Sequence, residues 1–164
     1  MKTLNQQISE YTALLQQGEI QLAYKGILEF MGKSRADFIK KYPQYEISSL
    51  YQGYMDMSYF SIFTKPLKEK GLKIAFVYWH EKACFEVWLS ARNREIGKQY
   101  EMALNLHPLP GITTFHDPTN LDAIVESVLV STPDFEDPAA LILMLQQGVE
   151  QFIEAVNDSE LILA

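Results

Sequence analysis

The segment Leu72 to Glu95, LKIAFVYWHEKACFEVWLSARNRE, brings His80, Glu81 and the only cysteine, Cys84, within five residues of one another. The chemistry such a cluster could do is nucleophilic catalysis, in which a thiolate needs its imidazole base about 3 Å away. Asp56 and Glu86 offer a second possibility, a pair of carboxylates for hydrolysis with or without a divalent metal. Arg92 and Arg94 offer a third, because arginines at the opening of a helix can hold a carboxylate or phosphate bidentately. A zinc site from Cys84, His80, His107 and His116 is not expected, since no pair has finger-type spacing. No glycine-rich phosphate loop, G-x-S-x-G elbow or H-E-x-x-H helix is present, so no cofactor is called for. Asp56 with Glu86-Val87-Trp88 faintly parallels a restriction-type nuclease core, but Trp88 stands where that pattern wants lysine.

Which of these groups can meet depends on the elements that carry them. Leu4, Ile8, Tyr11 and Leu15 follow helical spacing and predict one buried face. Gly18 is a stop or kink, and Ile20, Tyr24, Ile27, Leu28, Met31, Phe38 and Ile39 continue the pattern until Pro43. Tyr, Ile and Phe then dominate two β-type runs, 46–52 and 55–62, around Gly53. Thr64 and Gly71 bracket a brief helical turn, and two strong strands follow near 72–80 and 83–90. Ile96, Tyr100 and Leu104 predict a helix over 91–104, closed by His107-Pro-Leu-Pro-Gly111. Residues 112–116 read as a short extra strand. Asn120 reads as the cap of a helix through Leu121, Ile124, Val125 and Val128, with an extended Val-Leu-Val end as the alternative. Asp137 and Pro138 open a last helix with Leu141, Leu145, Val149, Phe152, Ile153 and Val156 on its core stripe.

Alternation fixes the register of the two strong strands. Ile74, Phe76, Tyr78 and His80 share one face, and Ala75, Val77 and Trp79 the other. Matching the apolar rows sets Tyr78 opposite Phe85 and Phe76 opposite Val87, with Glu81 and Lys82 at the turn. His80 and Cys84 then point to opposite sides, and the dyad loses its geometry. A three-residue loop centred on Lys82 would restore it at the expense of the apolar match. The face left over carries Trp79, Glu86 and Trp88, with Tyr59 or Asp56 joining it according to phase and Tyr51 and Tyr54 near its edge. An aromatic wall with a few acids suits a small-ligand pocket; the competing expectation is a sheet face covered by helices.

Composition narrows the partners. The 164 residues are 48% hydrophobic and 21% charged, as in a globular protein, and one α+β domain over 1–164 is expected. Residues 1–100 hold all 14 Lys and Arg with 10 acids, whereas residues 101–164 hold 11 acids and no base. The acidic part is therefore expected to lie against the basic part, with Arg92 and Arg94 tying the two together. A pI near 4.9 disfavours nucleic acid. The absence of a long apolar run or a secretory leader predicts no membrane span and a cytoplasmic location, consistent with a lone cysteine.

The runs SLYQGYMDMSYF (49–60) and LKIAFVYWHEKACFEVWLSARNRE (72–95) resemble an uncharacterised family of small bacterial proteins known as a domain of unknown function. That resemblance implies no activity, cofactor or catalytic residue. The layout is also similar to that of the YdhG/YjbR-like α+β proteins.

The architecture expected is α+β, a mainly antiparallel sheet of four to five strands with N-terminal and C-terminal helices packed on it. The leading functional expectation is a non-catalytic domain binding a small molecule or a protein partner through Tyr54, Asp56, Trp79, Glu86, Trp88 and Arg92. A hydrolase using Asp56 and Glu86 is the alternative. A homo-oligomer joined through the aromatic face is the third.

Overall fold

A computed structural model describes residues 1–159. Side-chain alternation over 57–91 builds three long strands, β2 (Met57–Phe63), β3 (Leu72–Trp79) and β4 (Cys84–Ala91), flanked by β1 (Glu46–Ile47) and β5 (Val125–Val130). They pair antiparallel in the order β1-β2-β3-β4-β5. The helices are α1 (Leu4–Gln17), α2 (Glu19–Lys41), α3 (Lys65–Glu69), α4 (Arg94–Leu106) and α5 (Pro138–Asn157). The α+β layout with helices at both ends is as expected.

One sheet face forms the core. Phe60, Ile62, Ile74, Phe76, Tyr78, Phe85, Val87 and Leu89 lie under α2 and α5, and the rings of Phe38, Phe60, Phe76 and Phe85 succeed one another at centroid distances of 4.8–5.8 Å. α5 starts where the Asp137 side chain accepts the Ala140 N–H at 3.3 Å, with Pro138 in its first turn, where no N–H is needed. It presses so closely on β5 that a Cβ at Gly148 would meet Leu129 Cδ2 at 2.6 Å. Lys41 Nζ, 3.2 Å from Glu150, and the Tyr42 hydroxyl, donating to the same carboxylate, tie α2 to α5.

Four expectations need correction. α1 forms, with Gly18 in the left-handed conformation at its end, but it has no buried residue: Leu4, Ile8 and Tyr11 are 69%, 49% and 54% exposed. Periodicity reports an apolar stripe, and here only its Tyr11 and Leu15 end borders an open groove, while Leu4 and Ile8 stay exposed. The run 46–52 yields only a two-residue strand and an isolated Tyr51–Tyr59 bridge. Residues 125–130 are a strand, the extended alternative, rather than the end of a helix; the β-branched residues prevail over the Asn120 cap. The Asn120 side-chain Oδ1 instead accepts the Asp122 N–H at 3.2 Å. Arg92 and Arg94 form no ion pair among the described residues, and the basic and acidic parts meet through Lys41 and Glu150.

Candidate functional site

The hairpin register runs Tyr78–Phe85, Phe76–Val87, Val77–Glu86 and Ala75–Trp88, as the apolar rows predict. His80 Nε2 lies 2.8 Å from Ser58 Oγ, and the ring packs beside Tyr24 and Tyr78. Cys84 is on the other side, with Sγ 3.5 Å from Glu86 Oε2. Burial and then the Glu86 carboxylate push the Cys84 thiol up to about 11, so it stays protonated at neutral pH. The opening cluster is divided between two faces and makes no Cys-His pair.

The wall of Trp79, Glu86 and Trp88 is a filled surface at its Glu86 end. The buried Glu86 carboxylate accepts the Trp88 Nε1–H at 2.9 Å and lies 3.7 Å from Lys82 Nζ, which itself sits 4.9 Å over the Trp79 ring. Glu86 and Trp88 meet because they are two residues apart on β4, and Lys82 reaches both Glu86 and Trp79 from the turn that joins β3 to β4. Asp56 is elsewhere. Its carboxylate accepts the Tyr54 N–H at 3.0 Å in the tight turn around Gly53, and backbone N–H groups hold it below the usual carboxylate range. A Cβ on Gly53 (φ 78°) would strike the Met57 carbonyl at 2.0 Å, so the turn demands glycine. The His80 N–H to Asp56 carbonyl bond extends the ladder by one step. Two strand spacings and three residues of rise therefore separate the Asp56 and Glu86 Cα atoms by roughly 14 Å. The two carboxylates are not brought together, and Tyr54 stands exposed on the same turn.

A cavity of about 580 Å³ opens further along this second face. Its floor includes Tyr59, Ala75, Trp88 and Ser90; one wall is the first half of α4 with the residues leading into it, and the other is the chain from His116 to Ile124. α4 is placed by Asn93, whose side chain accepts the Ile96 N–H at 2.9 Å. A Cβ at Gly97 would sit in ordinary contact, 3.7 Å from Ala91 Cβ and 3.9 Å from Ile124 Cγ1, so this turn of the helix packs beside both. Lys73, Arg92, Arg94 and Lys98 line this space together with Glu101 and Asp122. Of the six residues read from the sequence as a site, Trp88 and Arg92 line the cavity; Tyr54, Asp56, Trp79 and Glu86 do not.

Glu126 escaped the sequence reading of the site, and His116 entered it only as a zinc ligand that was not expected. Glu126 is wholly buried opposite Trp88, and its carboxylate is bonded to His116 Nδ1 (3.1 Å), Asn120 Nδ2 (3.1 Å) and the Asp117 N–H (3.3 Å). Burial raises its pKa, and the bond from His116 opposes that shift. His116 Nε2 lies 3.7 Å from Glu101 Oε1, so the imidazole sits between two acids on the cavity wall. The signal that could have found Glu126 is VESVLV, which as a strand puts alternate residues on this face. No group of three or more metal-ligating side chains gathers among the described residues, and none of their helices is long and apolar enough to cross a membrane.

A second hollow, a groove of about 640 Å³ between α1, α2 and the 52–55 turn, is lined chiefly by Tyr11, Leu15, Ile20, Tyr24 and Leu28. Its charged residues, Lys25 and Glu29, are 3.8 Å apart and pair with one another, so among its lining residues it offers a ligand no unpaired charge.

No curated protein and no solved structure matches the chain. The model of a domain of unknown function, DUF7000, matches residues 4–160, nearly the full length, and the protein belongs to that family.

Proposed function

We propose that the protein is a non-catalytic small-molecule-binding domain whose ligand seat is the cavity between the second sheet face, α4 and the 116–124 chain. The observation that carries this reading is the cavity itself, open on one side: about 580 Å³, within the roughly 300–1,000 Å³ range of ligand pockets, with aromatic rings on the floor and polar groups converging from two walls. The test is a thermal-shift screen of metabolites on the wild type and on two cavity-filling variants, Ala75→Leu and Gly97→Leu. A ligand at 100 times its Kd adds about 2.7 kcal/mol to stability. Compounds that stabilise the wild type should leave the folded, filled variants unmoved. Equal stabilisation of all three would put the seat elsewhere.

One observation favours hydrolysis as a second reading, moved from Asp56 and Glu86 to different residues. With Glu126 ionised, the His116 Nδ1–H donates to it, which fixes the tautomer and leaves Nε2 as a candidate general base on the cavity wall. A panel of carboxylic and phosphoric esters, assayed on the wild type and His116→Ala, tests it. Turnover that survives the substitution would remove His116 from the chemistry, and binding without turnover would favour the first reading.

A further inference from the structure

Resting on the cavity as the ligand seat, we infer that its occupant is a small organic anion: a carboxylate or phosphate attached to a flat apolar body. Four cationic side chains, Lys73, Arg92, Arg94 and Lys98, line the space against two acids, Glu101 and Asp122, in a chain whose net charge is −7. None of the four enters an ion pair among the described residues, whereas Lys41, Lys68 and Lys82 each find a carboxylate within 4 Å. A local positive field inside an acidic protein draws small anions in and keeps cations out. Arg92 and Arg94 stand on either side of Asn93, whose side chain is committed to capping α4, so their planar forks are the groups left to grip two oxygens.

The strand register gives the seat a direction. Lys73 pairs with Ser90, Ala75 with Trp88 and Tyr59 with Val77, so moving away from Arg92 along the sheet the floor passes from charged to apolar. At the apolar end the Tyr51 and Tyr59 rings lie 5.0 Å apart, beside Met57. Such a floor fits a ligand with its charge at one end and an aromatic or aliphatic body at the other.

The experiment titrates ¹⁵N-labelled full-length protein with three matched probes: phenyl phosphate, benzoate and neutral benzamide. The expected result is shifts of the amides of residues 73–75, 88–98 and 116–124. At least one anion should bind about tenfold or more tightly than benzamide, the gap closing at high salt. The double variant Arg92→Gln/Arg94→Gln, both exposed positions, should lose that advantage while holding benzamide as before. Comparing phosphate with carboxylate identifies the preferred head group. Benzamide bound as tightly as either anion, or anion-induced shifts confined to other surfaces, overturns the inference while the cavity reading stands or falls by the benzamide shifts. Silence of the cavity amides to all three probes overturns both.

Discussion

The two faces of the sheet come from the same three strands and are finished in different ways. On the first, Phe60, Phe76 and Phe85 stack under two long helices, and α5 comes close enough to need Gly148. On the second, Ala75, Val77 and Trp88 form a small separate apolar cluster closed by Ala123, Met57, Tyr59 and Trp79. The first face carries the stability because interlocked rings leave no space. The second carries buried acids, unmatched cations and a hollow, features that cost stability and that a binding site needs. Successive residues of β3 therefore serve different ends: Phe76 belongs to the core and Ala75 to the cavity.

That contrast can be broken first at Phe76. Phe76→Ala removes a fully buried ring and should cost about 3–5 kcal/mol, read as a lower urea midpoint with an unchanged slope. A cost under about 1 kcal/mol would mean the first face is no better packed than the second. Glu86→Ala comes next: it strands the buried Trp88 Nε1–H without an acceptor and should cost about 1–3 kcal/mol, with Glu86→Gln recovering much of the loss. Ala75→Val should have the smallest effect of the three, about 1 kcal/mol or less, because Ala75, though buried, borders the cavity.

Titration sharpens the comparison through its sign. Burial lowers the pKa of His80, on the core side, below 6.5. Between its folded pKa and 6.5 the unfolded chain binds the extra proton, so its contribution is present above 6.5 and lost as pH falls through the folded pKa. Burial raises the pKa of Glu126, on the cavity side, above 4.5. There the folded chain binds the extra proton, and the contribution present below 4.5 is lost as pH rises through the folded value. Urea midpoints against pH for His80→Asn and Glu126→Gln, each subtracted from the wild type, should slope in opposite directions. Slopes of the same sign would contradict the burial assigned to one of them.

Much of this fold could be read before any coordinates, and the parts that could not share a cause. The β3–β4 register followed from matching apolar rows, because a slip of one residue would have turned every ring outward. Asp137-Pro138 located the start of α5 through local chemistry alone. Leu4, Ile8 and Tyr11 were misread because spacing reveals a stripe without revealing whether anything covers it. Glu126 was hidden because Asn120, a good cap by type, engages a carboxylate six residues on instead of starting a helix. The cavity joins Lys73 to Lys98 and His116 across two long connections, and no local pattern encodes where α4 crosses back over the sheet.

Both tryptophans lie on the second face, which makes fluorescence quenching the most direct measurement of its character. Trp79→Phe leaves Trp88, 2% exposed on the cavity floor, as the only reporter. If the hollow reaches solvent through a cationic mouth, iodide will quench Trp88 more strongly than caesium despite the net charge of −7, and Arg92→Gln/Arg94→Gln will remove the difference. Caesium quenching equal to or greater than iodide, or an iodide preference that survives Arg92→Gln/Arg94→Gln, would contradict a positively lined cavity above Trp88.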